Sequence, residues 1–319
     1  MTAEPHSGAP LAGGGHAGAG TPAMVLQRAR TAGSALVFDK PDGLPRSLAD
    51  GCFRLAVPAG FDPSPGITLC REFHRPASDG PAALRSYRGF RELEGIYFDR
   101  EHFQTEHLLV DGPDRALHFP PELCAMAEQM SALTRLVLRA VLDGLGVPGA
   151  LWGRVTGGAA EGRGTHWFAA NHYRSEHPRL GCAPHKDTGF VTVLYIEESG
   201  LEASVDGAWV PVDPLPGHFV VNFGGAFELL TAALPQPVRA LTHRVRQCVR
   251  APGVPDRFSF AAFANPPATG DLYRIGPDGA AHAVRSSEEF LREFNAETWS
   301  DGYTDFGIAE PAASRGGAR

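Results

Sequence analysis

Cysteine is sparse in this sequence, and what there is lies scattered. Cys52, Cys70, Cys124, Cys182 and Cys248 are odd in number and never form a C-x-x-C pair. That argues against a disulfide framework and a structural zinc site, and it fits free thiols in a reducing cytoplasm. No stretch approaches the roughly 18 uninterrupted apolar residues of a membrane-spanning helix. A basic start followed by an apolar segment, the mark of a secretory signal, is also missing. No basic run stands out, and a formal net charge of −7 speaks against general binding to nucleic acid. No internal repeat is visible, nor the H-E-x-x-H helix of a zinc protease. These absences predict a soluble cytoplasmic protein whose partner is a small molecule, with its oligomeric state left open.

What is present reads as one large domain with ragged ends. Of 319 residues, 43% are hydrophobic and 20% charged, ordinary values for a globular chain. Residues 1–23 are rich in Gly and Ala and poor in bulky apolar groups, so they are expected to be disordered. Gly13, Gly15 and Gly18 spell a G-x-G-x-x-G there, but without a strand before it or a helix after it the motif carries no nucleotide site. Residues 24–310 are expected to form a single domain. It would comprise a helical or mixed part over about 24–150, a β-rich core over about 151–270 and a C-terminal segment to about 310. Residues 311–319 read as a second disordered tail. The Ala, Gly, Pro and Arg content resembles that of a GC-rich bacterial genome.

The strongest helix signal runs from about Pro121 to Leu145. Pro120 and Pro121 stand at its start, Met126, Met130, Leu133, Val137, Val141 and Leu145 recur at spacings of three and four, and Gly146 and Pro148 close it. Cys52 to Val57 alternates as a strand does. From Trp167 to about Pro266 the pattern changes to short β-rich runs bounded by Gly, Pro or Asp: Phe190 to Ile196, His218 to Phe223, Val238 to Val249 and Arg257 to Phe263. Such runs predict a sandwich or barrel.

The chemistry-bearing residues fall within that second half. In extended chain, residues i and i+2 share a face. His185 and Asp187, in Pro184-His185-Lys186-Asp187-Thr188-Gly189, therefore project together while Lys186 points away. In Leu241-Thr242-His243-Arg244-Val245, His243 falls on the apolar, inward face with Leu241 and Val245. A lone inward histidine is usually a satisfied core residue. Two histidines and one carboxylate, however, fill one triangular face of an octahedron and leave three positions open, the arrangement of non-haem Fe(II) oxygenases. A structural zinc site would be closed by four protein ligands. Arg257 and Ser259 share a face as well, and a guanidinium with a neighbouring hydroxyl grips a carboxylate through parallel hydrogen bonds. Asn171 and Tyr173 form a third same-face pair upstream, with His172 pointing the other way and scored as a non-ligand.

Taken in order, these residues resemble the isopenicillin N synthase-like branch of the 2-oxoglutarate/Fe(II) dioxygenases. The order is Asn171 and Tyr173, His185 and Asp187, Gly200-Leu201-Glu202, a G-x-W-x-x-V strand at Gly207 to Val212, a strand from His218 to Gly224, then His243, Arg257 and Ser259, and Asn265-Pro266-Pro267. The match spans about a third of the chain. It implies a mainly β fold with flanking α-helices, a distorted double-stranded β-helix or jelly roll. It also implies Fe(II) on His185, Asp187 and His243, with 2-oxoglutarate and O₂ as co-substrates. The resemblance places the distal carboxylate of 2-oxoglutarate on Arg257 and Ser259, with Tyr173 donating beside them and Asn171 donating near the metal. No catalytic residues beyond the metal ligands are expected. An intact Asp187 favours hydroxylation, desaturation or cyclisation over halogenation, since related halogenases replace that carboxylate with a small residue. The expected role is oxidation of a small organic substrate in bacterial secondary metabolism, such as antibiotic biosynthesis.

Three departures bear on the substrate. The stretch from Tyr173 to His185 is short, Gly225 stands where the family usually has Asp, and the N-terminal third matches only around Gly51-Cys52-Phe53. Substrate contacts are expected from the polar and aromatic run Arg88, Arg91, Tyr97, Phe98, Arg100 and His102, and from Arg163 in a Gly-rich loop; several Arg would suit an anionic or amino-acid-like molecule. Three alternatives stay open: an oxidase of the same fold that uses no 2-oxoglutarate, a non-enzymatic jelly-roll binding protein, and a zinc hydrolase. Succinate release, Fe(II) uptake and zinc-dependent, oxygen-independent turnover would tell them apart.

Overall fold

A computed structural model describes residues 23–298. Apart from Ala23, the terminal stretches expected to be disordered lie outside the described residues. Along the chain come β1 (Arg28–Ala32), β2 (Ala35–Phe38), α1 (Gly43–Asp50), β3 (Cys52–Ala56) and α2 (Ser64–Glu72). After short 3₁₀ turns follow β4 (Tyr97–Asp99), β5 (Thr105–Val110), α3 (Arg115–His118), α4 (Pro121–Gly144) and α5 (Gly149–Val155). The second half holds β6 (Phe168–Tyr173), β7 (Cys182–His185), β8 (Val191–Tyr195), β9 (Leu201–Val205), β10 (Ala208–Pro211), β11 (His218–Phe223), α6 (Gly225–Thr231), β12 (His243–Val245) and β13 (Arg257–Ala264). A hairpin of β14 (Asp271–Ile275) and β15 (Ala281–Ser286) and the helix α7 (Ser287–Thr298) complete it. No helix of the described residues is long and apolar enough to cross a membrane.

Two sheets make the jelly roll. The larger runs β2-β1-β3-β11-β8-β13-β6-β5-β4 and the smaller β10-β9-β12-β7. Among the described strands every pairing is antiparallel except β1 with β3. The first half of the chain is thus not a separate helical layer: β1 to β3 extend one edge of the large sheet, and β4 and β5 extend the other.

The large sheet is buried on both faces for two different reasons. Its outer face packs on α2 and α4. Helix α4 starts with Pro121 at its first position, where a missing N–H costs nothing. It buries Leu123, Met126, Met130, Val137, Leu138 and Val141 along one stripe, each contributing roughly 1.5–3 kcal/mol when fully removed from water. The inner face meets the small sheet. Ile196, Leu201, Ala203, Val220 and Leu241 close one end of that space in a second apolar cluster, and a cavity occupies the rest.

One expected strand is much shorter than its sequence pattern. The run Val238 to Val249 pairs as a strand only at His243–Val245. Upstream, its backbone bonds elsewhere: Val238 N donates to Thr231 Oγ1, Arg239 N to Leu48 O and Leu241 N to Phe223 O. Three residues suffice, because one of them is His243.

Candidate active site

The cavity, about 160 Å³, lies between the sheets, and His185, Asp187, His243, Asn171, Tyr173, Arg257 and Ser259 all line it. That volume is on the scale that accepts a benzene-sized molecule, so the site suits a small ligand.

At one end stand the two histidines and the aspartate. β7 and β12 are antiparallel neighbours with His185 and His243 as direct cross-strand partners, which places their rings 4.3 Å apart. Asp187 lies two residues past the end of β7, in the turn toward β8. Its Oδ1 is 3.8 Å from Nε2 of each histidine, and the three donor atoms fall within 4.8 Å of one another. Two donors about 2.1 Å from one ion at right angles lie about 3 Å apart, so each Asp187–histidine pair would need to close by about 1 Å to share an ion. Each imidazole is oriented from behind by its own chain. Nδ1 of His185 is 2.8 Å from Ala183 O, and Nδ1 of His243 is 3.1 Å from Leu241 O. A proton on Nδ1 leaves the Nε2 lone pair for a metal. The second carboxylate oxygen of Asp187, Oδ2, accepts from Thr192 Oγ1 at 2.7 Å, which leaves Oδ1 facing the two histidines.

Beneath this group, Gly225 N donates to Asp187 O at 2.7 Å. A Cβ at Gly225 would come within 2.9 Å of the Phe290 ring. The glycine at this position, where the family usually has Asp, therefore goes with the close approach of Phe290 on α7.

At the other end stands Arg257, 2% exposed. β13 and β6 set Arg257 opposite Tyr173 and Ser259 opposite Asn171. The guanidinium lies over the Tyr173 ring at 4.6 Å. Ser259 Oγ is 3.1 Å from the Tyr173 hydroxyl and accepts from Asn171 Nδ2 at 3.2 Å. Burial pushes the Tyr173 phenol up, with Arg257 opposing, so it remains an O–H donor. The Nε and Nη1 of Arg257 are buried and have no hydrogen-bond partner. An unmade bond at a buried N–H costs about 1–3 kcal/mol; a carboxylate between Arg257 and Ser259 would remove that cost. Gly200 makes the room: with φ at +140°, a Cβ there would sit 3.0 Å from Arg257 Nε.

Of the residues expected to meet substrate, Arg100 lines the cavity. Arg88, Arg91, Tyr97 and Arg163 do not. Arg88 Nε is bonded to Glu72 Oε2 at 2.6 Å. Arg91 and Tyr97 turn to Glu106 on the outer face of β5. Arg163 pairs with Glu161 at the surface, and His102 is exposed. Arg88 and Arg91 are held by acids distant in sequence, which the local pattern did not reveal.

Sequence reasoning missed His107, Thr192 and Trp167, all of which line the cavity. Thr105, His107 and Leu109 alternate along β5, and that period of two was the available signal. Burial, with Arg100 and His185 nearby, holds His107 well below the ordinary imidazole range, so it is a neutral donor or acceptor.

Residues 164–266 match the family model described as the 2OG-Fe(II) oxygenase superfamily. The chain is 34% identical over 198 residues to 2'-deoxymugineic-acid 2'-dioxygenase of Hordeum vulgare, a stretch covering 55% of this chain and 56% of that one. It is 31% identical over 133 residues to the protein DMR6-LIKE OXYGENASE 2 of Arabidopsis thaliana, covering 40% and 37%. The chain thus spans between about a third and just over half of these relatives. Among solved structures, JOX2 in complex with 2OG, Fe and JA aligns with a TM-score of 0.60 at 21% identity, covering 86% of each chain. A 2OG-Fe(II) oxygenase family protein of Caulobacter crescentus aligns with a TM-score of 0.57 at 20% identity, covering 80% of this chain and 93% of that one. These likenesses show the double-stranded β-helix fold.

Proposed function

We propose, from the match of residues 164–266 to the 2OG-Fe(II) oxygenase superfamily, that this chain is a 2-oxoglutarate-dependent non-haem Fe(II) dioxygenase acting on a small organic molecule. The observation that carries this reading is a single cavity with an open-faced His-Asp-His group at one end and a partly unbonded buried guanidinium at the other. His185, Asp187 and His243 are the iron ligands in this reading. Arg257 and Ser259 take the distal carboxylate of 2-oxoglutarate, with Tyr173 donating and Asn171 fixing the serine hydroxyl.

Iron and 2-oxoglutarate supply the oxidation, in which O₂ converts the co-substrate to succinate and CO₂ while the substrate is oxidised. The chain's part is placement. Leu194, Ile196 and Leu201 line the cavity as apolar wall and keep water from the co-substrate. Arg100, His107 and Trp167 face the remaining space and are the substrate-side residues. Asp187 as a ligand leaves no place for a halide and favours hydroxylation, desaturation or cyclisation. Residues 24–310 act as one oxygenase domain in this reading. The composition supports a bacterial source, and the resemblance to a branch that includes bacterial cephalosporin-forming enzymes supports a role in secondary metabolism such as antibiotic biosynthesis. The five unbridged cysteines support a reducing cytoplasm.

The test is anaerobic loading with Fe(II) and 2-oxoglutarate followed by admission of O₂. Oxygen-dependent succinate release is expected, and density after soaking with Mn(II) and 2-oxoglutarate should touch the three ligands and Arg257. Oxidation without succinate would identify a 2-oxoglutarate-independent oxidase instead. Failure to take up any divalent ion would leave only a binding protein.

A further inference from the structure

His172 sits between Asn171 and Tyr173 but on the outer face of β6. There its Nδ1 lies 2.8 Å from Glu106 Oε1 and its Nε2 lies 3.2 Å from Asp256 Oδ2. Glu106 is the cross-strand partner of His172 on β5, and Asp256 immediately precedes Arg257, the first residue of β13. One imidazole therefore ties together β5, β6 and the start of β13. The same strands carry Asn171, Tyr173, Arg257 and Ser259 on the inner side.

Both acids are fixed in place. Burial would raise the Glu106 carboxyl, yet bonds from His172, Arg91 and Tyr97 hold it far below the carboxylate range. Asp256 Oδ1 accepts from the backbone and hydroxyl of Ser175. His74 stacks face to face on His172, with centroids 3.9 Å apart and planes 10° apart. Burial, then the neighbouring His172, lowers the His74 imidazole to about 4, so it stays neutral.

His74, Glu106 and His172 do offer three donor atoms within 4.8 Å, but the geometry is wrong for an ion. Both Glu106 oxygens already accept bonds at 2.6–2.8 Å from Arg91, Tyr97 and His172. The Arg91 guanidinium would repel a cation, and stacked rings aim their lone pairs in parallel rather than at one point.

We infer that His172 is a positioning residue for the co-substrate, a clamp on the outer face that sets Arg257 and Ser259 against Tyr173 and Asn171. The inference rests on the reading that these four residues hold 2-oxoglutarate. On the inner side, Arg257 Nε and Nη1 have no hydrogen-bond partner and the guanidinium rests on the Tyr173 ring, so its place depends on how the start of β13 sits against β6. That backbone is held from outside, through Asp256.

The experiment compares wild type with His172→Phe, which keeps the ring and its stack but removes both nitrogens, and with Asp256→Asn, at a side chain 21% exposed. Binding of 2-oxoglutarate to the Mn(II)-loaded protein is measured by calorimetry, and kcat and KM by succinate release. For His172→Phe we expect Kd and KM for 2-oxoglutarate to rise about tenfold, the scale of one charge-assisted hydrogen bond. Mn(II) affinity and kcat at saturating co-substrate should stay within about twofold of wild type. Asp256→Asn should shift the same constants by less, and it decides the matter should His172→Phe fail to fold. Unchanged 2-oxoglutarate affinity in the folded variants, or an equal fall in metal affinity, overturns the inference. A wild type that binds Mn(II) but no 2-oxoglutarate overturns the underlying reading, and this inference with it.

Discussion

The two ends of the cavity are built on opposite plans. At the His-Asp-His end every donor is braced before any ligand arrives: His185 and His243 rest on backbone carbonyls two residues upstream, and Asp187 on Thr192. At the other end Arg257 keeps two buried nitrogens, Nε and Nη1, with no hydrogen-bond partner. The first end is complete as the chain folds; the second is completed by what binds there. Changes at the first should appear as lost metal, whereas changes at the second should appear as lost co-substrate affinity and lost ligand-induced stability.

The largest effect tests the first end. Asp187→Ala should lower metal affinity and succinate release by more than about a hundredfold, as read by Mn(II) titration and turnover. Retained turnover would break the assignment of that end. Next comes Arg257→Met, which should raise KM for 2-oxoglutarate by about a hundredfold. The unliganded variant should melt no lower than wild type, because an apolar chain replaces a buried cation with unmade bonds. In wild type, 2-oxoglutarate at a hundred times its Kd should add about 2.7 kcal/mol of stability; in Arg257→Met, with its affinity about a hundredfold weaker, the same addition should contribute only about 0.4 kcal/mol. If the unliganded variant instead melts well below wild type, the contrast between the two ends is wrong.

Thr192→Val sharpens the comparison. It keeps the shape but removes the bond to Asp187 Oδ2, and should weaken metal binding by about tenfold while 2-oxoglutarate binding to the metal-saturated protein holds. The smallest effect is Gly200→Ala. A Cβ at positive φ, 3.0 Å from Arg257 Nε, should cost about 1 kcal/mol in thermal unfolding and raise the 2-oxoglutarate Kd by roughly threefold.

How far the sequence reaches differs between these regions for a physical reason. The period of two along a strand is local, so it put Arg257 with Ser259, and Asn171 with Tyr173, on shared faces, and the structure keeps both pairs on the cavity side. It also put His243 inward, although the strand around it proved to be three residues long. Ion pairs are not local. Nothing near Arg91 and Tyr97 indicates that Glu106, on the next strand, holds both, so two residues anchored on the outer face read as substrate contacts. Arg88 failed the same way through Glu72. The pairing of β1 to β3 and of β4 and β5 onto the large sheet was illegible too, since strand partners far apart in sequence leave no local mark.

The cross-strand placement of His185 and His243 reaches beyond chemistry. β7 is the outermost strand of the small sheet, and its last residue faces His243 across the seam with β12. An ion shared by the pair would act as a rivet on an otherwise fraying margin. Removing the ion with a chelator should then speed amide hydrogen exchange over Cys182–His185, while β10, at the opposite margin of the same sheet, exchanges as before.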